Sequence, residues 1–295
     1  MKIIKYKKIF LGISTALVLI SLVIIGIRGL DYGIEFTGGA VLEMSYDERP
    51  SIDEAKTLLS EKGFDLDIQN FGENAYILKT QDLSEEGRKN LIHTMESIGV
   101  NPVIERFNSI GPSVGRELRT RSLYALIFVS LGIVLFVAYA FRHVSKPVSS
   151  WKYGFVAVVA LLHDIIIPVG ILTLLGIEMD TLYVVGLLSI LGLSVNDTIV
   201  VFDRIREELA KNSEFKINEV FDTTVGNAVT KTIARSILTS LTLVVVLLAL
   251  YYVGPAATQT LALVLLLGTI VGTYSSIFLA SPLLTYMTTK DIKKK

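Results

Sequence analysis

Apolar residues gather into six long stretches, over residues 9–27, 123–141, 153–177, 181–202, 237–253 and 261–286, with polar segments between them. A helix rises about 1.5 Å per residue and the hydrocarbon core of a bilayer is about 30 Å thick, so a run of roughly 17 to 25 apolar residues can span it. Each stretch therefore predicts a transmembrane helix. The first follows a basic tip, Met1-Lys2-Ile3-Ile4-Lys5-Tyr6-Lys7-Lys8, as a secretory signal would. It is too long for a signal's apolar region and lacks a small-x-small cleavage site before Arg28, so it is expected to remain as the first span.

The 29–120 segment carries a different pattern. Ala40-Val41-Leu42-Glu43-Met44 reads as a strand, and Ser51-Ile52-Asp53-Glu54 is a capping box opening a helix that ends near Gly63. Asp67–Phe71 and Ala75–Thr80 are strand candidates flanking the turn Gly72-Glu73-Asn74. Ser84 starts a second helix that stops at Gly99, and residues 102–107 make a last strand. The order β-α-β-β-α-β predicts a ferredoxin-like α+β domain between helices 1 and 2 of an otherwise all-α, six-helix membrane bundle. The expected divisions are 1–30 (tip and first helix), 31–120 (the α+β domain) and 121–295 (five helices with a 203–231 loop). That loop is expected to form an amphipathic surface helix with Asn218 at its N-cap.

Lys and Arg in the short loops set the orientation. The N-terminal tip holds four lysines, the 142–152 loop holds Arg142, Lys146 and Lys152, and the chain ends in Lys293-Lys294-Lys295. The turns at 178–180 and 251–260 hold no basic residue. This asymmetry predicts both termini in the cytoplasm, the 31–120 domain outside, and the 203–231 segment inside.

Composition narrows the chemistry. Charged residues make up 19% of the chain against about 25% in soluble domains, and the formal net charge is zero, so neither a soluble enzyme nor a nucleic-acid partner is expected. No cysteine is present, which excludes disulfides, thiolate nucleophiles and cysteine-built metal sites. The three histidines are scattered, and neither a metal-ligand spacing nor a P-loop occurs. His93, inside the second helix of the α+β domain, reads as a surface or packing residue. No enzymatic activity, cofactor or metal is expected.

Ionisable groups inside lipid are costly and usually functional. Asp197 lies in the fourth span, His163 and Asp164 near the middle of the third, and Arg235 at the start of the fifth. Asp197 and Arg235 are expected at similar depth, so that they can meet. At 100° per residue, Gly186, Ser189, Gly192, Asn196 and Asp197 share one arc of the fourth helix, and Thr232, Arg235, Thr239 and Thr242 one arc of the fifth. The sixth contributes Gly268 and Gly272, a small-x-x-x-small step, then Thr273, Ser275 and Ser276. A polar seam between helices four, five and six is expected, with Asp197 titrating between burial and its arginine.

Gly192-Leu193-Ser194-Val195-Asn196-Asp197-Thr198-Ile199-Val200-Val201-Phe202-Asp203-Arg204-Ile205-Arg206-Glu207 resembles the fourth-helix signature of the SecF branch of the SecD/SecF family, bacterial protein-export membrane proteins of the resistance-nodulation-division superfamily. Gly33-Ile34-Glu35-Phe36-Thr37-Gly38-Gly39, Gly111-Pro112-Ser113-Val114-Gly115, His163-Asp164 and Gly272-Thr273-Tyr274-Ser275-Ser276-Ile277-Phe278 are similar to its other motifs, and the resemblance covers the whole chain. The family usually has Asp at Glu35, Tyr at Leu193, Gln at Lys231 and Thr at Ser236; none of these departures touches Asn196, Asp197 or Arg235. The resemblance implies a heterodimer with SecD in the bacterial inner membrane, working beside the SecYEG channel, often with YajC, on unfolded preproteins. It implies use of the proton gradient, or sodium in some organisms, after the ATP-driven step. By motif position Asp197 would be the proton-relay carboxylate and Arg235 its partner, with Asn196 beside them, while Asp164 with His163, as ionisable groups inside the third span, is a possible secondary relay. A superfamily exporter of small molecules or lipids is the alternative, but a large two-part outer domain would then be expected.

Overall fold

A computed structural model of the chain describes residues 2–64, 66–80, 83–141, 148–215, 217 and 219–292. Asn218 and the basic residues Arg142, Lys146, Lys216, Lys293, Lys294 and Lys295 lie outside them. In chain order the elements are α1 (Lys2–Lys5), α2 (Lys7–Arg28), α3 (Ile34–Thr37), β1 (Gly39–Ser45), α4 (Ile52–Glu61), β2 (Asp67–Phe71), β3 (Ala75–Thr80), α5 (Glu85–Glu96), β4 (Val103–Ile110), α6 (Pro112–Ala140), α7 (Ser150–Leu174), α8 (Thr181–Glu214), α9 (Phe221–Val253), α10 (Gln259–Ser275) and α11 (Ser281–Ile292). Two compact units result, one of Met1–Asp31 with Tyr124–Lys295 and one of Tyr32–Leu123.

The smaller unit is an α+β layer. Its antiparallel sheet has the order β2-β3-β1-β4, with Leu42 facing Leu78 on one side and Phe107 on the other. Both helices start as hydroxyl capping dictates: Ser51 Oγ accepts from Glu54 N at 3.2 Å and Ser84 Oγ from Gly87 N at 3.1 Å, each satisfying a free helix-terminal donor. Inward-pointing Leu42, Met44, Leu78, Leu59, Leu91 and Met95 close the core. Tyr46 donates to Met95 O at 3.0 Å, and burial together with nearby Tyr76 holds its hydroxyl above the usual tyrosine range. His93 is exposed on α5.

The two glycine motifs meet here. Gly38 and Gly39 have φ of +80° and +134°, conformations that side chains rarely adopt. A Cβ on Gly38 would sit 2.6 Å from Pro112 Cα, and one on Gly115 would sit 2.8 Å from Gly38 N. Within the first motif, between Gly33 and Gly38, the chain makes the single turn α3, which the strand-and-helix pattern does not announce.

Among the described residues the larger unit holds six helices long and apolar enough to cross a membrane; the sixth runs through α10, a π-turn at Ser276–Ala280 and α11. α7 and α8 are its most buried members, and α2 packs on α7. Ser14 and Ser21, seven apart on one face of α2, are buried although most of the helix is not, and Ser21 lies at the α7 contact. At Gly170 of α7 an added Cβ would lie 2.4 Å from Ser21 Cβ and 2.7 Å from Ser21 Cα. Backbone cannot retreat as a flexible side chain can. Gly170→Val is therefore expected to lower stability by about 2 kcal/mol or more, seen as a reduced melting temperature of the purified protein in detergent, while Gly192→Val, with open space around Gly192, leaves it nearly unchanged.

The 203–231 segment is not a separate surface helix. α8 continues to Glu214 and α9 already begins at Phe221. The extension of α8 is polar yet helical because its charges pair at helical spacing: Lys211 to Glu207 at 2.7 Å, Arg204 to Glu207 and Glu208, and Arg206 to Asp203. Glu219 ties the turn, accepting from Asn212 at 3.1 Å, Thr224 at 2.8 Å and Asn227 at 3.1 Å. Lys231 meets Glu208 at 2.8 Å across the helix pair, and Lys7 meets Asp222 at 2.5 Å.

Candidate functional site

α10 approaches α8 closely because it presents glycine. A Cβ on Gly268 would collide with Ile190, and one on Gly272 would lie 3.2 Å from Ser194 Cβ. The approach carries Ser275 and Ser276, at the end of α10 and the start of the π-turn, to two carboxylates on two different helices. Ser276 Oγ donates to Asp197 Oδ2 at 2.9 Å, and Ser275 Oγ donates to Asp164 Oδ2 at 2.7 Å. Such π-turns break the regular backbone phase and recur at functional positions.

Asp197 is half-buried. Its second oxygen, Oδ1, accepts from Ser236 Oγ of α9 at 2.8 Å. Beside it lies a cavity of about 110 Å³, with Asn196, Asp197, Thr239, Ser240, Thr269 and Thr273 among its polar lining. That volume holds several waters. Asp164 is fully buried and more heavily bonded: Oδ2 also accepts from Ser194 Oγ of α8, and Oδ1 lies 2.8 Å from His163 Nδ1. The His163 ring stacks on Tyr274 at a centroid distance of 6.0 Å, and Tyr274 in turn accepts from Ser14 Oγ at 3.3 Å. Two acids thus join α7, α8, α9 and the π-turn through hydroxyl groups. Among the described residues no three His, Asp or Glu side chains converge to hold a metal ion.

Residues 90–290 match the sequence profile of the family described as "Protein export membrane protein SecD/SecF, C-terminal", and residues 23–48 match the "SecD/SecF GG Motif". The chain belongs to the SecD/SecF family. The protein translocase subunit SecF of Desulfurispirillum indicum is 37% identical over 284 residues, which take in 93% of this chain and 88% of that protein. The SecF subunit of Escherichia coli O157:H7 is 36% identical over 92% of this chain and 83% of its own length. Among solved structures, SecDF from Thermus thermophilus, a translocon-associated membrane protein, superposes with a TM-score of 0.83 at 29% identity; the match covers all of this chain and 39% of the SecDF chain. With its six spanning helices, this SecD/SecF member is a multi-pass protein of the cell membrane.

Within this SecD/SecF chain the expected seam is only partly assembled. Ser275, Ser276 and Gly272 sit where α8 and α10 meet, as the small-residue reading expects. Asp197 and Arg235 do not pair: Arg235 is exposed, and the carboxylate takes Ser236 instead. One residue is a 100° rotation, and α9 turns position 236 rather than 235 toward α8. Thr239 and Thr242 are likewise exposed, bonding the carbonyls of Arg235 and Thr239 in their own helix. Ser189, Gly192 and Asn196 lie on the uncovered side of α8, with Ser189 bonded to Val185 O. A search centred on charge passes over Ser236 and Ser194. Their signal is a hydroxyl one turn from a marked residue: Ser236 follows Thr232 by four, and Ser194 precedes Asp197 by three.

Proposed function

We propose that this chain is the SecF-type half of a SecD–SecF unit in the Sec export machinery, and that it couples the proton or sodium gradient to late, ATP-independent stages of preprotein translocation. It acts as a transporter subunit and not as an enzyme. One observation carries the coupling: Asp197, in the middle of a spanning helix, holds two hydroxyl donors from two other helices at the wall of a polar cavity.

The same face argues for the partner. Arg235, Asn196, Ser189, Thr239 and Thr242 are all exposed within spanning helices, where contact with lipid costs about 2.5 to 3.5 kcal/mol for a charge at the centre. Helices of SecD would cover them, giving a twelve-helix unit beside SecYEG and YajC, embedded among membrane lipids. Both termini would be cytoplasmic and the α+β unit extracytoplasmic, its element and strand order supporting a ferredoxin-like reading.

The switch follows from hydrogen-bond arithmetic. An ionised Asp197 accepts from both serines, whereas a protonated one carries a donor of its own and loses its charge. Ser276 Oγ has a second acceptor at hand, Thr273 O at 3.0 Å, so it can release the carboxyl without being left unbonded. Proton uptake from one side and release to the other would then alternate two packings of α8, α9 and the π-turn. One charge crossing 100 mV supplies about 2.3 kcal/mol, enough to bias such a pair of states more than tenfold. The α+β unit, flanked in sequence by the first two spans, would follow that motion.

Export of a secreted reporter, timed with and without an uncoupler in cells possessing or lacking this chain, tests the reading. The uncoupler is expected to slow late translocation only where the chain is present. Equal slowing in both strains would contradict it.

A further inference from the structure

Asp197 faces a cavity, but the more completely enclosed acid is Asp164, and the mechanism above leaves it unused. It accepts from Ser194 and Ser275, shares a 2.8 Å hydrogen bond with His163 Nδ1, and stands 0% exposed. His163 is 3% exposed, and its second ring nitrogen, Nε2, is buried without a partner among the described residues. That atom distinguishes this pair from a merely structural hydrogen bond, because a buried polar atom left bare ordinarily costs stability.

Counting protons on the pair gives its role. If Nδ1 donates to an ionised Asp164 and Nε2 is bare, the pair carries one negative charge. If the pair is neutral, one proton lies in the Nδ1···Oδ1 bond and Nε2 bears another, whether the first is drawn on the ring or on the acid. Passing between the two states therefore adds or removes one proton at Nε2 and leaves every bond to Asp164 in place.

We propose that His163 and Asp164 form a second proton-binding station, loaded at His163 Nε2, whose charge acts on Asp197 through the adjoining serines where α10 meets the π-turn. The proposal rests on the coupling role of Asp197. Two routes join the acids: Ser275 and Ser276 are consecutive and serve one each, and Ser194 stands three residues before Asp197 on α8. A negative charge at one acid opposes a negative charge at the other, so the stations load in dependence on each other.

The titratable groups around the pair are few. Tyr274 stacks on the ring from α10, and Asp197 is reached through Ser276. On α2, Lys7 is engaged by Asp222, Lys8 is exposed and Arg28 donates to Leu174 O. Lys152, at the start of α7 itself, donates to Met287 O.

The chain has only three histidines, which makes the test direct. The full-length protein with its SecD partner, labelled with imidazole ¹⁵N histidine in lipid vesicles, is titrated by solid-state NMR. His93→Gln and His143→Gln identify the His163 signal by subtraction. The His163 signal is expected to pass from a bare to a protonated Nε2 on acidification, with a midpoint lowered by about one pH unit or more in Asp197→Asn, since a negative neighbour has gone. A His163 signal fixed from pH 4 to 9, or a midpoint indifferent to Asp197→Asn, overturns the proposal. Because no export is measured, that failure leaves the coupling role of Asp197 standing, whereas an Asp197→Asn protein with full gradient-dependent export removes the reading on which the proposal rests.

Discussion

Asp197→Asn is expected to abolish the gradient-dependent part of export, at least a tenfold loss, while the protein still accumulates in the membrane and still binds SecD. Asparagine is nearly isosteric and keeps an oxygen for Ser236 or Ser276. The loss is therefore one of titration and not of shape. The ATP-driven component should persist, since the sequence holds no P-loop. Asp197→Glu retains the acid on a longer arm and should recover part of the function. Timed export with and without an uncoupler reads both variants. If Asp197→Asn and the unmodified chain respond equally to the uncoupler, the acid is packing only.

Asp164→Ala is expected to have the larger effect on stability. Three donors converge on this carboxylate, and every one of them is buried. Truncation leaves Ser194 and His163 without the carboxylate, while Ser275 keeps Gly272 O at 3.0 Å, and removing one partner of a buried polar cluster costs about 3 to 5 kcal/mol. α7 would lose its polar links to α8 and to the end of α10 together. The protein should lose most of its membrane level at 37 °C, and the surviving fraction should melt well below the unmodified chain. Ser275→Ala, which removes a single donor and leaves the acid bonded to Ser194 and His163, should cost only about 1 kcal/mol. Comparable melting of Asp164→Ala and the unmodified chain would mean that the cluster does not hold the helices.

These two acids also show how far the sequence could be read. Apolar run length finds the spans because the bilayer demands it, and alternation finds β2 and β3 at Asp67–Phe71 and Ala75–Thr80 because one face of that sheet is buried. Ser51 and Ser84 mark helix starts because helix-end donors need local acceptors. These are short-range demands. Which of Arg235 and Ser236 meets Asp197 depends on the rotation of α9 against α8, and 100° separates success from failure. Likewise, the central place of Asp164 arises only when Ser194 and Ser275, 30 and 111 positions away in sequence, arrive together. The π-turn is a change of hydrogen-bond phase within an apolar run, and apolar composition carries no trace of phase. The 203–231 segment misleads for the opposite reason. Its charges look like a solvated surface helix, yet the ion pairs of Glu207 and Glu208 simply prolong α8.

Proton flux reports on the central claim without the intervening steps of export. Vesicles containing the chain with SecD, loaded with a pH-sensitive dye and given an inward proton gradient, should acidify faster than empty vesicles, and Asp197→Asn should return the rate to that of empty vesicles. Undiminished flux through Asp197→Asn would contradict the account.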